Sequence, residues 1–150
     1  MSLSHTRSGL RAAIALIAGL AGLAATTLAL AAMSPAQQAI HDGLVTSARG
    51  ADPAFKEFSI ERGRVFFAAT HQGGKPATPS CTTCHSADPR KAGSTRAGKP
   101  IEPMAASVNP KRFTDAKEVD KWFRRNCTDV LGRECTPLEK GDVMVYLLSL

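Results

Sequence analysis

The densest chemistry in the chain lies in five consecutive residues, Cys81-Thr82-Thr83-Cys84-His85. Two thiols separated by two residues, with an imidazole next to the second, form the C-x-x-C-H attachment pattern of c-type haem. The thiols add to the two vinyl groups of the porphyrin, and the following histidine meets the iron from the proximal side. With four cysteines and four histidines in 150 residues, chance produces this arrangement only about 0.003 times, so the pattern is specific. Two other uses of the same residues stay open. A thioredoxin-type pair needs a strand before it and a helix after it, whereas Gly73, Gly74, Pro76 and Pro79 precede this motif and Asp88-Pro89 follows it. A zinc site needs one ligand beyond Cys81, Cys84 and His85.

Cys127 and Cys135 form a second pair, eight positions apart with Gly132 between them. Their spacing closes a short loop, as a structural disulfide or as a redox-active bridge beside the haem.

The elements that must position these residues read as helices. Ile40 to Ala54, with Gly43, Gly50 and Pro53, reads as a loose or short helical lead-in. Ser59 to Thr70 reads as a helix with Ser59 as N-cap and Glu61 in the first turn. Gly63 on it would let another helix cross closely. Residues 71–80 form a Gly/Pro loop into the motif. Residues 86–110 are irregular, with Pro89, Pro100, Pro103 and Pro110; a loop this long is usually functional. Thr114 to Asn126 reads as the next helix, with Asp115 and Glu118 at capping-box spacing. Val119, Trp122, Phe123 and Asn126 share one inward face, so Trp122 and Phe123 are candidate haem-pocket residues. Thr136 to Leu150 reads as the last helix. Thr136 caps it, Pro137 sits at its first position and Glu139 completes the box; Val143, Tyr146, Leu147 and Leu150 form its apolar face. No segment has strand period.

The N-terminus reads differently. Met1 to Arg11 carries Arg7 and Arg11 without an acid, and Ala12 to Ala32 is uncharged. This is the pattern of a secretory signal peptide, with cleavage expected after Ala31; Ala36 is a second possible site. An uncleaved membrane anchor is the alternative, although Ala and Gly outnumber strongly apolar residues there. Cleavage after Ala31 leaves 119 of 150 residues and, with Arg7 and Arg11 gone, lowers the formal charge from +6 to +4. That balance is not a nucleic-acid signature, and no membrane span would remain. Export places the protein in the periplasm, where thiols oxidise unless occupied. The expected organisation is a signal peptide over 1–31, a lead-in over 32–57 and a haem domain over 58–150.

An early helix with a small residue, a haem motif, a loop and a C-terminal helix with an aromatic together describe an all-α class I cytochrome c around one covalent haem c. In that fold Gly63 receives the last helix near Tyr146. The residue opposite His85 then decides the chemistry. A strong sixth ligand leaves an electron carrier, and a weak or absent one leaves room for a gas. Met104, in Ile101-Glu102-Pro103-Met104, is favoured by the usual His/Met pairing. Asn126 is the unusual candidate, since a buried amide needs a partner; its plainer role is a helix C-cap.

From Phe58 onward the chain resembles the SHP-type cytochromes c, small monohaem oxygen-binding proteins. The resemblance is carried by Glu61-Arg62-Gly63-Arg64, Pro79-Ser80-Cys81-Thr82-Thr83-Cys84-His85, Gly98-Lys99-Pro100-Ile101-Glu102-Pro103-Met104, Asn109-Pro110-Lys111-Arg112-Phe113-Thr114-Asp115, Lys121-Trp122-Phe123-Arg124-Arg125-Asn126-Cys127 and Gly132-Arg133-Glu134-Cys135-Thr136-Pro137. It implies Asn126 as the distal iron ligand, Met104 unbound, and Cys127 paired with Cys135. It further implies that the asparagine leaves on reduction so that oxygen or nitric oxide can bind. A dihaem cytochrome c and a membrane b-type cytochrome are the electron donors it implies. Ten basic against four acidic residues between Arg90 and Arg125 would suit an acidic partner. The competing functions are a His85/Met104 electron carrier without gas chemistry and an oxygen reductase or nitric oxide-consuming enzyme. No acid–base pair beside the motif argues for the enzyme.

Overall fold

The computed structural model describes residues 33–150; the expected signal peptide lies outside the described residues. Within them are helices α1 (Pro35–Ala51), α2 (Ile60–Ala68), α3 (Thr82–His85), α4 (Ala116–Leu131) and α5 (Pro137–Leu148), and a short antiparallel pair, β1 (Gly93–Ser94) with β2 (Pro100–Ile101). The class is all-α, as expected, with this one small hairpin added. None of these helices is long and apolar enough to cross a membrane.

Helix α5 is the hub. Gly141 to Leu148 is buried without a break, and Met144 and Leu147 are fully enclosed. Its start is the expected one: Thr136 accepts from the Glu139 amide, and the Glu139 carboxylate accepts from the Thr136 amide. Helices α2 and α1 pack against it. Ser59 caps α2 as expected, and at Gly63 the crossing is backbone on backbone. A Cβ there would lie 2.0 Å from the Asp142 carbonyl oxygen and 2.9 Å from Tyr146 Cβ. The same Asp142 is buried and accepts from the Ser59 amide (2.7 Å) and from Arg62 Nε (2.7 Å) and Nη2 (2.9 Å). A buried carboxylate is tolerable only when paired and fully hydrogen-bonded; here it joins the start of α2 to α5.

Three expectations need correction. The loose segment over 40–54 is part of a 17-residue helix. Its glycines weaken it, but Ser34 and Gln37 form a reciprocal capping box with Pro35 at the first turn, and Ile40 and Leu44 pack on the core. The helix expected to end at Asn126 continues to Leu131, so Asn126 is not its C-cap. Gly132 takes that role at φ +70, where glycine has no steric penalty; Cys127 and Val130 are buried and hold the added turns down. At the other end, Asp115 caps α4 by accepting from the Lys117 and Glu118 amides. Glu118 bonds Lys121 and Trp122 rather than completing a box.

Cys127 and Cys135 are bonded, with Cα atoms 5.5 Å apart. The bridge ties the last turns of α4 to the residue before the α5 cap. Replacing both with serine should lower the unfolding free energy by about 2.5 kcal/mol, read from urea titration of the haem-loaded protein; an unchanged midpoint would show that the closed loop constrains nothing. Gly63→Ala should cost about 3 kcal/mol by forcing α2 off α5. A variant as stable as the parent would mean that this crossing opens freely.

Candidate haem site

The motif sits on a single helical turn, and its neighbours explain why that turn forms. Ser80 is buried, and its hydroxyl accepts from the Thr82 amide (3.3 Å), so it supports the start of α3. The His85 amide donates to the Cys81 carbonyl (3.0 Å). Ser86 then turns the chain out at φ +66. The hairpin is pressed onto this turn, because a Cβ on Gly93 would lie 2.0 Å from the Cys84 carbonyl oxygen and 3.0 Å from His85 Cα.

Both Cys81 and Cys84 are free and half-buried. A loop rather than a strand precedes them, and the helical turn that holds Cys84 ends at His85, so neither requirement of a thioredoxin-type pair is met. Burial pushes the Cys81 thiol up to about 11. Among the described residues no group of three or more His, Cys, Asp or Glu is arranged to hold a metal ion by itself, which leaves the zinc reading without its fourth ligand.

His85 is the most perturbed group of the site. Burial, and then the charge of Arg112, push its imidazole down to about 4, so it is neutral near pH 7. Neutral imidazole is the form that binds a metal. Asn126 faces it from α4, with the amide nitrogen 3.3 Å from His85 Nε2. A half-turn of the amide presents its oxygen to the same point. These two side chains would hold an iron between them, the imidazole offering a neutral nitrogen and the amide an oxygen. His85 Nδ1 is buried without a hydrogen-bond partner, although ligating histidines usually donate from that nitrogen.

The remaining expected residues divide. Phe123 is half-buried, 6.5 Å from the Phe113 ring. Trp122 lies at the rim of the face, 48% exposed, with its indole N–H donated to Glu118 and Lys121 and Arg125 over its ring. The inward stripe of α4 is therefore narrower than the periodicity predicts. Met104 is partly buried against the core. Its amide donates to the Pro89 carbonyl (2.9 Å), which ties its loop to the segment leaving His85.

Two residues were not legible as part of the site. Gly93 looks like any loop glycine until the hairpin closes on Cys84. Arg112 is one of ten basic residues between 90 and 125, and nothing in the spacing separates it from the others. The donor set fits a haem c: two free thiols on one turn, a buried neutral imidazole and an amide opposite it.

The profile of a family described as a domain of unknown function, DUF1924, matches residues 53–147. The chain is 59% identical over 89 residues to the cytochrome c-type protein SHP of Cereibacter sphaeroides, covering 59% of this chain and 69% of that protein. It is similar to the structure of oxidised SHP, described as an oxygen-binding cytochrome c, with TM-score 0.68 and 48% identity over 74% of this chain and 94% of the other. It is also similar to the solution structure of cytochrome c'' from Methylophilus methylotrophus, whose theme is haem-ligand detachment, with TM-score 0.65 and 33% identity over 76% and 93% of the two chains. The all-α fold, the motif on its pinned turn and these likenesses agree: the chain belongs to the family of SHP-type c-type cytochromes and carries one covalent haem c.

Proposed function

We propose that this protein is a periplasmic cytochrome that accepts an electron and then binds oxygen or another diatomic gas. Cys81 and Cys84 anchor the haem, His85 is its proximal ligand and Asn126 its distal ligand in the oxidised state. The observation that carries this reading is Asn126 standing opposite His85 at 3.3 Å. Haem c supplies a one-electron couple and, where one axial position opens, a place for a gas. Asn126 controls that opening. An amide oxygen is a hard donor that favours ferric over ferrous iron, so reduction weakens its hold. Its helix does not need it as a cap, because Gly132 ends α4, so its side chain can leave the His85 contact without cost to the helix. The relatives named for oxygen binding and for haem-ligand detachment support the same role.

Trp122 and Phe123 line the pocket in this reading, Phe123 from the core side and Trp122 from its rim. Met104, the alternative distal ligand, packs against the core, whereas Asn126 meets His85 directly. A dihaem cytochrome c and a membrane b-type cytochrome are the proposed electron donors, and the basic excess between residues 90 and 125 suits an acidic docking face. The signal peptide over 1–31 delivers the chain to the periplasm, where the Cys127–Cys135 bridge is stable.

Absorption and resonance Raman spectra of the haem-loaded protein, oxidised and reduced, with and without carbon monoxide, test this reading. The ferrous form should be high-spin and bind carbon monoxide rapidly. Asn126→Ala should convert most of the ferric population from six-coordinate to high-spin, while Met104→Ala should leave it unchanged. A low-spin ferrous form indifferent to carbon monoxide, altered by Met104→Ala alone, would replace the gas-binding role with simple electron transfer.

A further inference from the structure

The end of α4 and the loop that leads into the haem motif meet backbone on backbone. A Cβ on Gly74 would collide with the carbonyl oxygens of Asp129 and Val130, and one on Gly132 with the carbonyl oxygen of Gly73. One on Gly73 would lie 2.7 Å from the Leu131 carbonyl oxygen. Gly73 (φ +93) and Gly132 (φ +70) also take left-handed conformations that favour glycine. Gly74 does not, so its lack of a side chain serves the close approach alone.

Hydrogen bonds fix the register of this junction. The Lys75 amide donates to the Asp129 carbonyl (2.7 Å), and the buried Thr78 hydroxyl donates to the same oxygen (3.1 Å). The Lys75 ammonium pairs with the Asp129 carboxylate at 2.6 Å, but both side chains are exposed, so the pair adds little. Two backbones in contact have no side chain to give way, and a packed interior transmits a displacement rather than absorbing it.

The two partners of the junction carry the groups that face each other across the site. Asp129 lies less than one helical turn beyond Asn126. Thr78 lies three residues before Cys81, on the chain that enters the turn holding His85. Asn126 and His85 then meet at 3.3 Å. Two other ties of α4, the Cys127–Cys135 bridge and the Lys140–Asp120 pair (3.5 Å), run to the residue before the α5 cap and to α5 itself. They set α4 against α5, not against the haem-attachment turn. We propose that the junction of Gly73 and Gly74 with the end of α4, registered by Thr78 on Asp129, is a spacer that sets how closely the Asn126 amide approaches His85 across the iron. Gly74 and Thr78 are thereby positioning residues for distal ligation. This role rests on Asn126 being the distal ligand. A wider junction carries Asn126 away from His85, weakens its hold on ferric iron and opens the distal position.

The test uses the ferric haem-loaded protein and cyanide, which binds the iron only when Asn126 has left it. Asn126→Ala comes first and should be high-spin and quick to bind cyanide. An unchanged spin state there would sink the distal assignment and this role with it. Gly74→Ala should raise the cyanide association rate about tenfold, since even small misplacements of a positioned group have large effects, and should increase the high-spin fraction. Gly141→Ala, whose Cβ would meet the Phe58 ring instead, should lower stability without changing rate or spin state. Thr78→Val should raise the rate about threefold, the worth of one modest hydrogen bond, and Thr78→Ser, which keeps the hydroxyl, should return it to the parent's. A changed Asn126→Ala beside a parent-like rate and spin state in Gly74→Ala would overturn the spacer alone and leave the glycines as fold-stabilising contacts. An equal rise in Gly141→Ala would overturn it too, because general loosening would then account for the effect. Where Gly74→Ala does not accumulate, a parent-like rate in Thr78→Val overturns it equally.

Discussion

The close approach of α2 and α5 at Gly63 is the constraint on which the rest of the molecule depends. With no side chain between them, the two backbones meet at the Asp142 carbonyl. The Asp142 carboxylate then reaches both the Ser59 amide and the Arg62 fork. Close contact and ion pair reinforce each other, since the pair gains from a fixed geometry and a shifted helix would leave the buried Asp142 carboxylate unpaired. Phe67, one turn beyond Gly63, enters the core against Tyr146 at 5.8 Å and lies 6.3 Å from the His85 ring. The helix crossing thus sets the wall behind the imidazole.

The site hangs on this frame from two directions. Ser80 bonds the Phe67 carbonyl, so the turn carrying the two cysteines is fixed to the end of α2. The Ala106 amide donates to the Leu147 carbonyl, which fixes the 102–112 loop to α5. Between these attachments, Pro89 accepts from the Met104 and Ala105 amides and closes the loop onto the residues following the motif. The long irregular segment is therefore anchored at several points rather than loosely draped.

Helix α4 is held less by apolar packing than by covalent and polar ties. Lys75 on the loop before the motif bonds the Asp129 carbonyl through its amide, and its ammonium pairs with the Asp129 carboxylate at 2.6 Å. The buried Thr78 adds a third bond to that residue. The disulfide begins at Cys127, immediately after Asn126. These ties fix the backbone beside Asn126, whose side chain meets His85.

Much of this was readable from the residues alone. The motif names its own cofactor, because thioether attachment requires two thiols and an adjacent imidazole in one local stretch. The caps at Ser59, Asp115 and Thr136 are local too, and each begins the expected helix. The glycine at 63 foretold a close crossing, since no other use of a glycine there is as economical. What depended on distant contacts was not readable. The glycines of α1 argued against a long helix, and packing on α5 overrode them. Asn126 read equally well as a cap, because the burial of Cys127 and Val130 that extends α4 is a property of the assembled core. Arg112 could not be told from nine other basic residues, because the glutamine 75 positions away that bonds its carbonyl and the carbonyls its guanidinium meets come together only in the fold. The sequence determined which groups could do chemistry; only the tertiary structure decided which of them stand together, because the distances between them are set by helix crossings and loop attachments that no local pattern encodes.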